Sequence, residues 1–448
     1  MRVAAANAGA RSVRAAVSAA AWLGVVLACA AGDAPAPPPN IVLLIADDLG
    51  HPDYGFMGSE WAETPTLDSL AREGMLFRYG FNTSSVCRPS LRTLLTGLQP
   101  LQIANYQLLG RREGKPQPQP ERLRGLGTLP RALAERGYVS FQAGKYWEAD
   151  YALAGFTDGM QRPGDDPVEG GAGRLFARDG SLAPVAEFLD AHRGRPFFLW
   201  FAPMLPHWPH DADARFRARY EGRGLAETAV GYYANVTRFD AAVASLLELL
   251  EERGLREDTL LVFLADNGWD QPSDADLTAR FPDGTRGKGT MHEIGWRTPL
   301  IFSWPGRLSG GRVSDALVST VDLFPTLLEL AGAELPPGRS GYSLVPTLEG
   351  GAPPKRKRVI GEQRASRVEP GSDAGPRQHQ AFLLRSREWW YIWFRDRGVE
   401  ELYAVSSDSR AESNVAAQHP DVLLRYQRAV GVWEARMRKS AALLGAPP

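Results

Sequence analysis

Cysteine and histidine are both scarce in this chain. Two of the 448 residues are cysteine and seven are histidine. One of the cysteines, Cys29, lies in an N-terminal segment with the features of an export signal, so Cys87 has no partner for an ordinary structural disulfide. A site with two zinc ions usually needs several imidazole ligands, and the few histidines argue against it. A disulfide-stapled scaffold is therefore excluded and a di-zinc centre is disfavoured.

The chain also lacks an excess of charge of either sign. It has 51 lysines and arginines against 52 aspartates and glutamates. This balance gives no electrostatic reason to expect a nucleic-acid partner. A dense basic run from Lys355 to Arg358 follows the segment Gly-Gly-Ala-Pro-Pro. We interpret it as a solvent-exposed loop, the usual setting of such runs.

A long, strongly apolar membrane span is missing, but the N-terminus has the pattern of an export signal. Three arginines in residues 1–16 precede an uncharged run that ends at Gly32, and the Pro-rich sequence DAPAPPP follows. This pattern predicts a signal over residues 1–32 and a linker over residues 33–39. Val26 to Cys29 also loosely matches a lipoprotein box, so simple cleavage and lipidation at Cys29 both stay open. We expect an exported protein, periplasmic or extracellular, that contacts a membrane only through such a lipid anchor.

Short apolar runs that end in polar residues indicate the fold class. Three of them read as strands buried on both faces, and they end at Asp47-Asp48, at His207 and at Asp266-Asn267. Helical patterns lie between the runs, near Thr66, Thr128 and Val236. Strands that alternate with helices predict an α/β fold with a large, mainly parallel sheet sandwiched by helices.

The pattern of predicted strands and helices changes beyond Gly332. The segment AFLLRSREWWYIWFRDRGVEELYAV has the pattern of several antiparallel strands, and PDVLLRYQRAVGVWEARMRKSAALL that of a closing helix. We therefore predict a main domain over residues 40–335 and a smaller C-terminal subdomain over residues 336–448. No internal repeat is apparent in the sequence.

Carboxylates at the strand ends suggest a metal site. Ligands of parallel sheets bind beyond the carboxyl ends of the strands. Asp47, Asp48 and Asp266 lie at two such ends, and Asn267 adds an amide oxygen. Each pair alone is more often a turn or a helix cap. Together they form an oxygen-rich set of the kind that suits Ca²⁺, whereas zinc would favour histidine or cysteine.

Cys87 stands in a distinctive setting. A single free cysteine is often just a buried apolar side chain. Here Pro89 and Ser90 follow it and can open a helix, which places the thiol next to a helix N-terminus that stabilises negative charge. A plain thiol nucleophile would still need a neighbouring base, and the sequence does not identify one.

These motifs resemble the formylglycine-dependent sulfatases of the alkaline-phosphatase-like superfamily. The family signature Cys-x-Pro-Ser-Arg, with Leu-Thr-Gly at a fixed distance, is matched by Cys87, Pro89, Ser90, Leu95, Thr96 and Gly97. Matching segments extend over nearly the whole chain that follows the export signal: NIVLLIADDLG, TPTLDSLAREGMLF, GKYW, PHWPH, ADNG, GKGTMHEIGWRTPLIFSWPG, STVDLFPTLLELAG and ELYAVSSDSRAESN. So many matches in order are far more specific than any single motif.

The resemblance implies a nucleophile and a metal. A formylglycine-generating maturation enzyme would oxidise Cys87 to formylglycine, whose hydrate carries two hydroxyls. One hydroxyl would attack the sulfur of a sulfate ester, and deprotonation of the other would release sulfate and restore the aldehyde. By the same resemblance, Asp47, Asp48, Asp266 and Asn267 would bind Ca²⁺, with the modified Cys87 beside it.

The resemblance also implies residues that bind the sulfate group. Lys145 and Lys288 would neutralise sulfate oxygens as negative charge builds up in the transition state. His207, in the segment Pro-His-Trp-Pro-His, would contact the sulfate or the leaving oxygen. The predicted substrate is a sulfated small molecule or glycan.

The chain departs from the family pattern at two places. The family arginine falls at Leu91, and Arg92 is the nearest substitute, although one helical residue rotates a side chain by about 100°. The second departure is at Trp147, where the family commonly has a histidine that acts as a base. The candidates to replace that histidine are His207, His210 and Glu148.

The type of substrate and two other functions stay open at this level. Aryl sulfates and carbohydrate sulfates are both compatible, and export favours a carbohydrate. Four tryptophans could stack on a sugar or an aryl ring: Trp147, Trp208, Trp269 and Trp296. A phosphodiesterase or phosphonate hydrolase on the same scaffold is one alternative. The other, an inactive sulfatase-like binding protein, is disfavoured because Cys87, both lysines and all four candidate metal ligands are present.

Overall fold

The structure is a computed structural model. It describes residues 38–105, 109–112, 115–118, 120–148, 150–162, 165, 171–269, 287–367, 377–408 and 411–444. The predicted export signal and most of the predicted linker lie outside these residues. The chain from Pro39 onward forms one compact unit. None of the described helices combines the length and the apolar character that crossing a membrane requires.

Strands and helices alternate over the first three quarters of the chain. The strands are β1 (Asn40–Ala46), β2 (Met75–Phe81), β3 (Leu109–Arg112), β4 (Lys115–Pro118), β5 (Val139–Gly144), β6 (Asp158–Gly159), β7 (Phe197–Ala202), β8 (Thr259–Ala265), β9 (Arg297–Ser303), β10 (Arg312–Ser314), β11 (Val318–Ser319), β12 (Arg358–Arg367), β13 (Arg377–Ser386), β14 (Trp389–Phe394) and β15 (Val399–Ala404). The helices are α1 (Pro65–Glu73), α2 (Cys87–Thr96), α3 (Pro100–Asn105), α4 (Leu129–Ala134), α5 (Gly171–Asp179), α6 (Ala183–Ala191), α7 (Ala214–Arg217), α8 (Glu227–Glu252), α9 (Glu293–Trp296), α10 (Leu323–Leu330), α11 (Val345–Leu348) and α12 (Pro420–Ala441). The three buried strands and the three helices predicted from the sequence are all present.

The main sheet has nine strands. Its order is β10-β2-β9-β8-β1-β7-β5-β6, and β11 also pairs with β2. All of its described pairings are parallel except the two that β9 makes with β2 and β8. The prediction of a mainly parallel sheet is therefore confirmed.

Helices cover both faces of this sheet. Along the central strand β1, Val42 and Leu44 pack into one hydrophobic cluster together with residues of α1 and α8. The alternate residues Ile41 and Leu43 pack into a second cluster with residues of α2, α4 and α10. Successive side chains of a strand point to opposite faces, so a strand buried on both sides needs an unbroken apolar sequence. The sequence of β1 has this character.

The C-terminal part has the predicted antiparallel strands and closing helix. Strands β12 to β15 pair antiparallel in chain order. Helix α12 covers one face of this sheet, where Tyr426 and Val430 pack with Phe382 and Leu384. The opposite face packs against Phe81 at the end of β2 and against Met291 and Trp296, which precede β9. The proposed domain boundary at residue 336 stays a prediction.

Candidate active site

Cys87 lies at the start of α2, six residues beyond the end of β2. Its side chain is almost fully buried, and its Sγ atom lies 3.8 Å from Asp47 Oδ1 and 3.7 Å from Asp48 Oδ1. Burial raises the pKa of the Cys87 thiol well above its usual value, and the nearby carboxylates add to this effect. An unmodified thiol here stays protonated and is a poor nucleophile, because the thiolate is the reactive form.

The predicted metal ligands come from two neighbouring strands. Asp47 and Asp48 follow β1, and Asp266 and Asn267 follow β8; the last residues of the two strands, Ala46 and Ala265, are paired in parallel register. Asn267 Nδ2 donates a hydrogen bond to Asp48 Oδ1 at 2.6 Å, and the Asp48 backbone N–H donates to Asp266 Oδ1 at 3.2 Å. One ligand atom from each of Asp47, Asp48, Cys87 and Asp266 lies within 4.8 Å of the others.

The two predicted lysines pair with this group. Lys145 follows β5, and its Nζ lies 2.6 Å from Asp47 Oδ1 and 3.7 Å from Asp266 Oδ2. Lys288 Nζ lies 2.7 Å from Asp48 Oδ2. Burial opposes the charge of both lysines, but the carboxylates outweigh it and raise the pKa of each ammonium above its usual value. We call Asp47, Asp48, Asp266, Lys145 and Lys288 the carboxylate cluster.

The carboxylates of this cluster differ in acidity. Burial works to raise the pKa of Asp48, but Lys288, His207 and Lys145 together hold it at about 2. Burial and then the charge of Asp47 raise the pKa of Asp266 to about 8. Two lysines therefore do not balance three buried carboxylates, and burial disfavours the charge of Asp266 more than that of Asp48.

Three oxygens of the site have no hydrogen-bond partner among the described residues. They are Asp47 Oδ2, Asp266 Oδ2 and Asn267 Oδ1, all buried. Buried polar atoms are almost always bonded to a partner. A hard divalent cation takes oxygen ligands from carboxylates and side-chain amides, and it would offset the excess of negative charge. The residues present therefore fit such an ion.

His207 reaches the same site from the loop after β7. Its Nε2 lies 3.5 Å from Asp48 Oδ2, and its Nδ1 lies 2.5 Å from the backbone oxygen of Trp208. A carbonyl oxygen only accepts hydrogen bonds, so Nδ1 carries the hydrogen and Nε2 is the nitrogen that faces the carboxylates. Trp208 itself is 66% exposed.

Arg92 and Leu91 lie on different sides of α2. Leu91 is buried in the hydrophobic cluster on one face of the sheet. Arg92 is directed to Glu148, with Nε 2.5 Å from Oε1 and an NH2 nitrogen 3.0 Å from Oε2. Arg88 binds the same two oxygens at 3.1 and 3.3 Å. We call Arg88, Arg92 and Glu148 the arginine clamp. Glu148 was one of the three candidates for the missing base, and both of its carboxylate oxygens accept hydrogen bonds from these two arginines.

Two of the four tryptophans proposed for substrate stacking are unsuitable. Trp296 is fully buried and Trp269 is 3% exposed, its ring stacked on Tyr232 with the centroids 4.2 Å apart. The stacking interpretation is wrong for both, because each indole packs into a hydrophobic cluster. Trp147 is partly buried with the Lys145 ammonium 5.2 Å from its ring centroid, and Trp208 is exposed.

Sequence reasoning missed Gln363, which supports the loop before Cys87. Its Oε1 accepts hydrogen bonds from the Ser84 hydroxyl at 2.8 Å and from the Ser85 N–H at 2.9 Å. Its Nε2 donates to Ser85 Oγ at 2.7 Å. Gln363 belongs to β12 of the C-terminal sheet, far away in sequence, and a lone glutamine in a strand gives no signal of such a role.

Comparisons with known proteins show the family of this chain. A family model described as Sulfatase matches residues 39–333, and one described as N-sulphoglucosamine sulphohydrolase, C-terminal, matches residues 284–422. Human arylsulfatase A is 33% identical over 377 residues, which cover 73% of this chain and 71% of the relative. N-acetylgalactosamine-6-sulfatase of the dog (Canis lupus familiaris) is 32% identical over 375 residues, which cover 73% of this chain and 69% of the relative.

A solved structure supports the same fold. The crystal structure of Ps i-CgsB in complex with k-i-k-neocarrahexaose matches with a TM-score of 0.70 and 23% identity, over 89% of this chain and 93% of that one. The family model covers well over half of the chain, and relatives more than 30% identical align over more than two thirds of their length. The chain therefore belongs to the sulfatase family and is a sulfuric ester hydrolase.

Proposed function

We propose that this enzyme hydrolyses a carbohydrate or aryl sulfate with a formylglycine formed from Cys87 and a Ca²⁺ ion bound by Asp47, Asp48, Asp266 and Asn267. The observation that carries the proposal is the set of three buried oxygens that lack a hydrogen-bond partner among the described residues, beside a buried thiol. Neither feature is favourable by itself, because the oxygens need a partner and the thiol is held in its unreactive form. A bound cation and the conversion of Cys87 would remove both defects.

The charge of the site supports a sulfate monoester as the substrate. With Asp266 ionised, as a metal ligand must be, three carboxylates and two ammonium groups leave one excess negative charge, which would repel an anion. A divalent cation would change this excess to one positive charge, equal and opposite to the charge of a sulfate monoester. When bound, such a cation supplies Lewis-acid stabilisation of the oxygens on which negative charge develops.

Each remaining residue of the site would have a separate task. Lys145 and Lys288 would turn from their carboxylate partners to the sulfate oxygens and stabilise the charge that builds up on them. His207 would hold a proton at Nε2 for the leaving ester oxygen, since its Nδ1 is already bound to a carbonyl oxygen. The hydrated aldehyde would supply the hydroxyl nucleophile that the thiol does not. The overall reaction consumes one water and yields an alcohol and sulfate.

Arg92 would act on this reaction from a distance. The sequence suggested it as the substitute for the family arginine, and its described hydrogen bonds go to Glu148. Glu148 follows Lys145 by three residues, and Arg92 lies on the helix that Cys87 begins. We propose that Arg92 is a positioning residue that fixes α2 against the loop of Lys145.

The substrate class and the location of the protein also belong to this proposal. The relatives are named for an aryl sulfate and for N-acetylgalactosamine 6-sulfate, and the matching structure contains a neocarrahexaose. These names, together with the export pattern of residues 1–32, favour a sulfated carbohydrate outside the cytoplasm. The location would be periplasmic or extracellular, with lipidation at Cys29 as the alternative to simple signal cleavage.

The deciding experiment is the mass of the peptide that contains Cys87. The full chain would be expressed with and without a formylglycine-generating enzyme, with Cys87→Ala as the control, and each sample would be assayed on 4-nitrocatechol sulfate. We expect the aldehyde mass and sulfate release only after co-expression. An unmodified Cys87 in an active sample would refute the formylglycine. Faster release from a phosphonate monoester than from the sulfate would favour the alternative hydrolase.

A further inference from the structure

A basic cleft lies between α12 and the segment that leads into β12. Its volume is about 320 Å³. Its cationic lining residues are Lys355, Arg356, Lys357, Arg358 and Arg436, and none of its lining residues is acidic. The basic run that the sequence marks as a solvent-exposed loop thus forms one wall of a concave surface. We call this surface the basic cleft.

Most of these cations have no counterion in the described part of the chain. Arg356 pairs with Asp322, a buried carboxylate that also accepts hydrogen bonds from the backbone N–H groups of Ser319 and Tyr342. This pairing anchors the basic run to the main domain. Lys355, Lys357 and Arg358 are exposed and make no ion pair with another described residue. Their charge is therefore available to an external anion.

Several buried polar atoms of the basic cleft also lack a hydrogen-bond partner among the described residues. The Gln99 side chain is 5% exposed, and its Oε1 has no hydrogen-bond partner among the described residues. The same holds for the hydroxyl of Ser340 and for Nε of Arg356. Rotation of an amide exchanges its oxygen and nitrogen, so Gln99 can also present a donor. Buried polar groups in this state need a polar partner, and a ligand in the cleft would supply one.

An apolar surface adjoins these polar groups. Val432 and Trp433 lie three and four residues beyond Ala429, and Arg436 lies four and three residues beyond them, so these side chains share one face of α12. Val432 is 72% exposed and Tyr342 is 49% exposed. Aromatic rings beside cations are suited to the face of a sugar ring and to its charged substituents.

We propose that the basic cleft binds a second sulfated sugar unit of a polymeric substrate, outside the catalytic pocket. This proposal rests on the proposed function, since it requires a sulfated carbohydrate as the substrate. Gln99 lies just beyond the C-terminal end of α2, whose N-terminal residue is Cys87. The helix has 10 residues and spans about 15 Å. The basic cleft and the catalytic pocket are thus far enough apart to require a chain of several sugar units.

The test compares two triple variants of the matured full-length enzyme. One is Lys355→Ala/Lys357→Ala/Arg358→Ala, and the control is Arg136→Ala/Arg178→Ala/Arg387→Ala, which removes the same charge from exposed positions outside the basic cleft. Affinity for heparin, a sulfated polymer, and for hyaluronan, an unsulfated polyanion, would be measured by calorimetry. Hydrolysis of 4-nitrocatechol sulfate, which carries no second sulfate group, would be measured on each protein.

We expect the cleft variant to bind heparin about tenfold more weakly than the wild type, and the control variant to stay within about twofold. Hyaluronan should bind weakly to all three proteins, and all three should hydrolyse the aryl sulfate equally fast. Equal losses of heparin affinity in both variants, or hyaluronan binding as tight as heparin binding, would overturn the proposal. Absence of aryl sulfate hydrolysis in all three would instead contradict the proposed function, because heparin binding is measured independently.

Discussion

Two groups of mostly buried charged residues flank Cys87, and they differ in their balance of charge. In the carboxylate cluster, negative groups outnumber positive ones, and oxygens of Asp47 and Asp266 have no hydrogen-bond partner among the described residues. In the arginine clamp, positive groups outnumber negative ones, and both oxygens of Glu148 accept hydrogen bonds from two guanidinium groups. The first group needs an external cation to be complete. The second is complete without a ligand.

This difference separates a chemical role from a positioning role. Buried charges are tolerated when each is paired and hydrogen-bonded, which is the state of Glu148. The carboxylate cluster keeps uncompensated charge in the interior, a cost that is typical of functional sites. The two groups meet along the chain, because Cys87 precedes Arg88 and Lys145 precedes Glu148 by three residues. The clamp therefore holds in place two residues that the cluster uses.

The largest expected effect is the loss of activity in Asp266→Asn. The variant removes a proposed metal ligand, and we expect kcat/KM for an aryl sulfate to fall about a thousandfold, since a catalytic metal contributes several kcal/mol. Stability without metal should stay the same or rise, because burial already disfavours the charge of Asp266. Calorimetry with Ca²⁺ and urea unfolding measure the two effects.

Asp258→Asn is the matched control for this test. Asp258 is exposed and precedes the same strand, β8, at its opposite end. If Asp266→Asn keeps more than a tenth of the activity, the carboxylate cluster is not a metal site. The proposed difference in role between this cluster and the arginine clamp would then be wrong.

Glu148→Gln should lower stability and leave Ca²⁺ affinity nearly unchanged, the reverse of what we expect for Asp266→Asn. The variant leaves two guanidinium groups without their carboxylate, and we expect the free energy of unfolding to fall by about 3 kcal/mol. We also expect kcat to fall, with little change in Ca²⁺ affinity, because Cys87 and Lys145 lose their common support. Glu135→Gln, at an exposed position, is the control in urea unfolding. A loss of Ca²⁺ affinity without a loss of stability would show that Glu148 belongs to the metal site.

Acid pH should destabilise the protein through His210. Burial lowers the pKa of this histidine to about 4, against a usual value near 6.5, although Asp48 acts in the opposite direction. Between these values the unfolded chain binds a proton that the folded protein does not, so stability falls as the pH drops from about 6.5 to 4. The total loss from this residue is about 3 kcal/mol at pH 4.

Urea unfolding of His210→Gln and the wild type at several pH values isolates this effect. The variant should lose less stability than the wild type between pH 6.5 and 4, and His419→Gln should behave as the wild type. Parallel curves for the wild type and His210→Gln would mean that His210 has no part in the acid sensitivity.

The smallest expected effect is that of replacing Gln363, whose side chain supports the loop before Cys87. Gln363→Leu leaves the Ser84 hydroxyl and the Ser85 N–H without their acceptor, at a cost of about 1–2 kcal/mol in the free energy of unfolding. We expect a several-fold fall in kcat, with KM nearly unchanged. Gln380→Leu, on the neighbouring strand, is the control in both measurements. Equal effects of the two variants would remove Gln363 from the positioning residues.

The sequence by itself determined the fold class and the composition of the site. Short, unbroken apolar runs that are rich in Val, Ile, Leu and Phe and end in polar residues favour strands buried on both faces, as β1, β7 and β8 are. The polar residues that end such strands must converge at one edge of the sheet, and this brought Asp47, Asp48 and Asp266 together. The fold class and the position of the site could both be predicted because apolar runs and the polar residues that end them are properties of short segments.

Tertiary structure decided what the side chains contact. It buried Leu91 in the core, directed Arg92 to Glu148, folded Trp269 and Trp296 into the interior, and joined Gln363 to the loop before Cys87. The same packing turned a basic loop into one wall of a cleft. These contacts join residues far apart in the chain. Their partners depend on how helices and sheets pack, which no pattern within a single segment specifies.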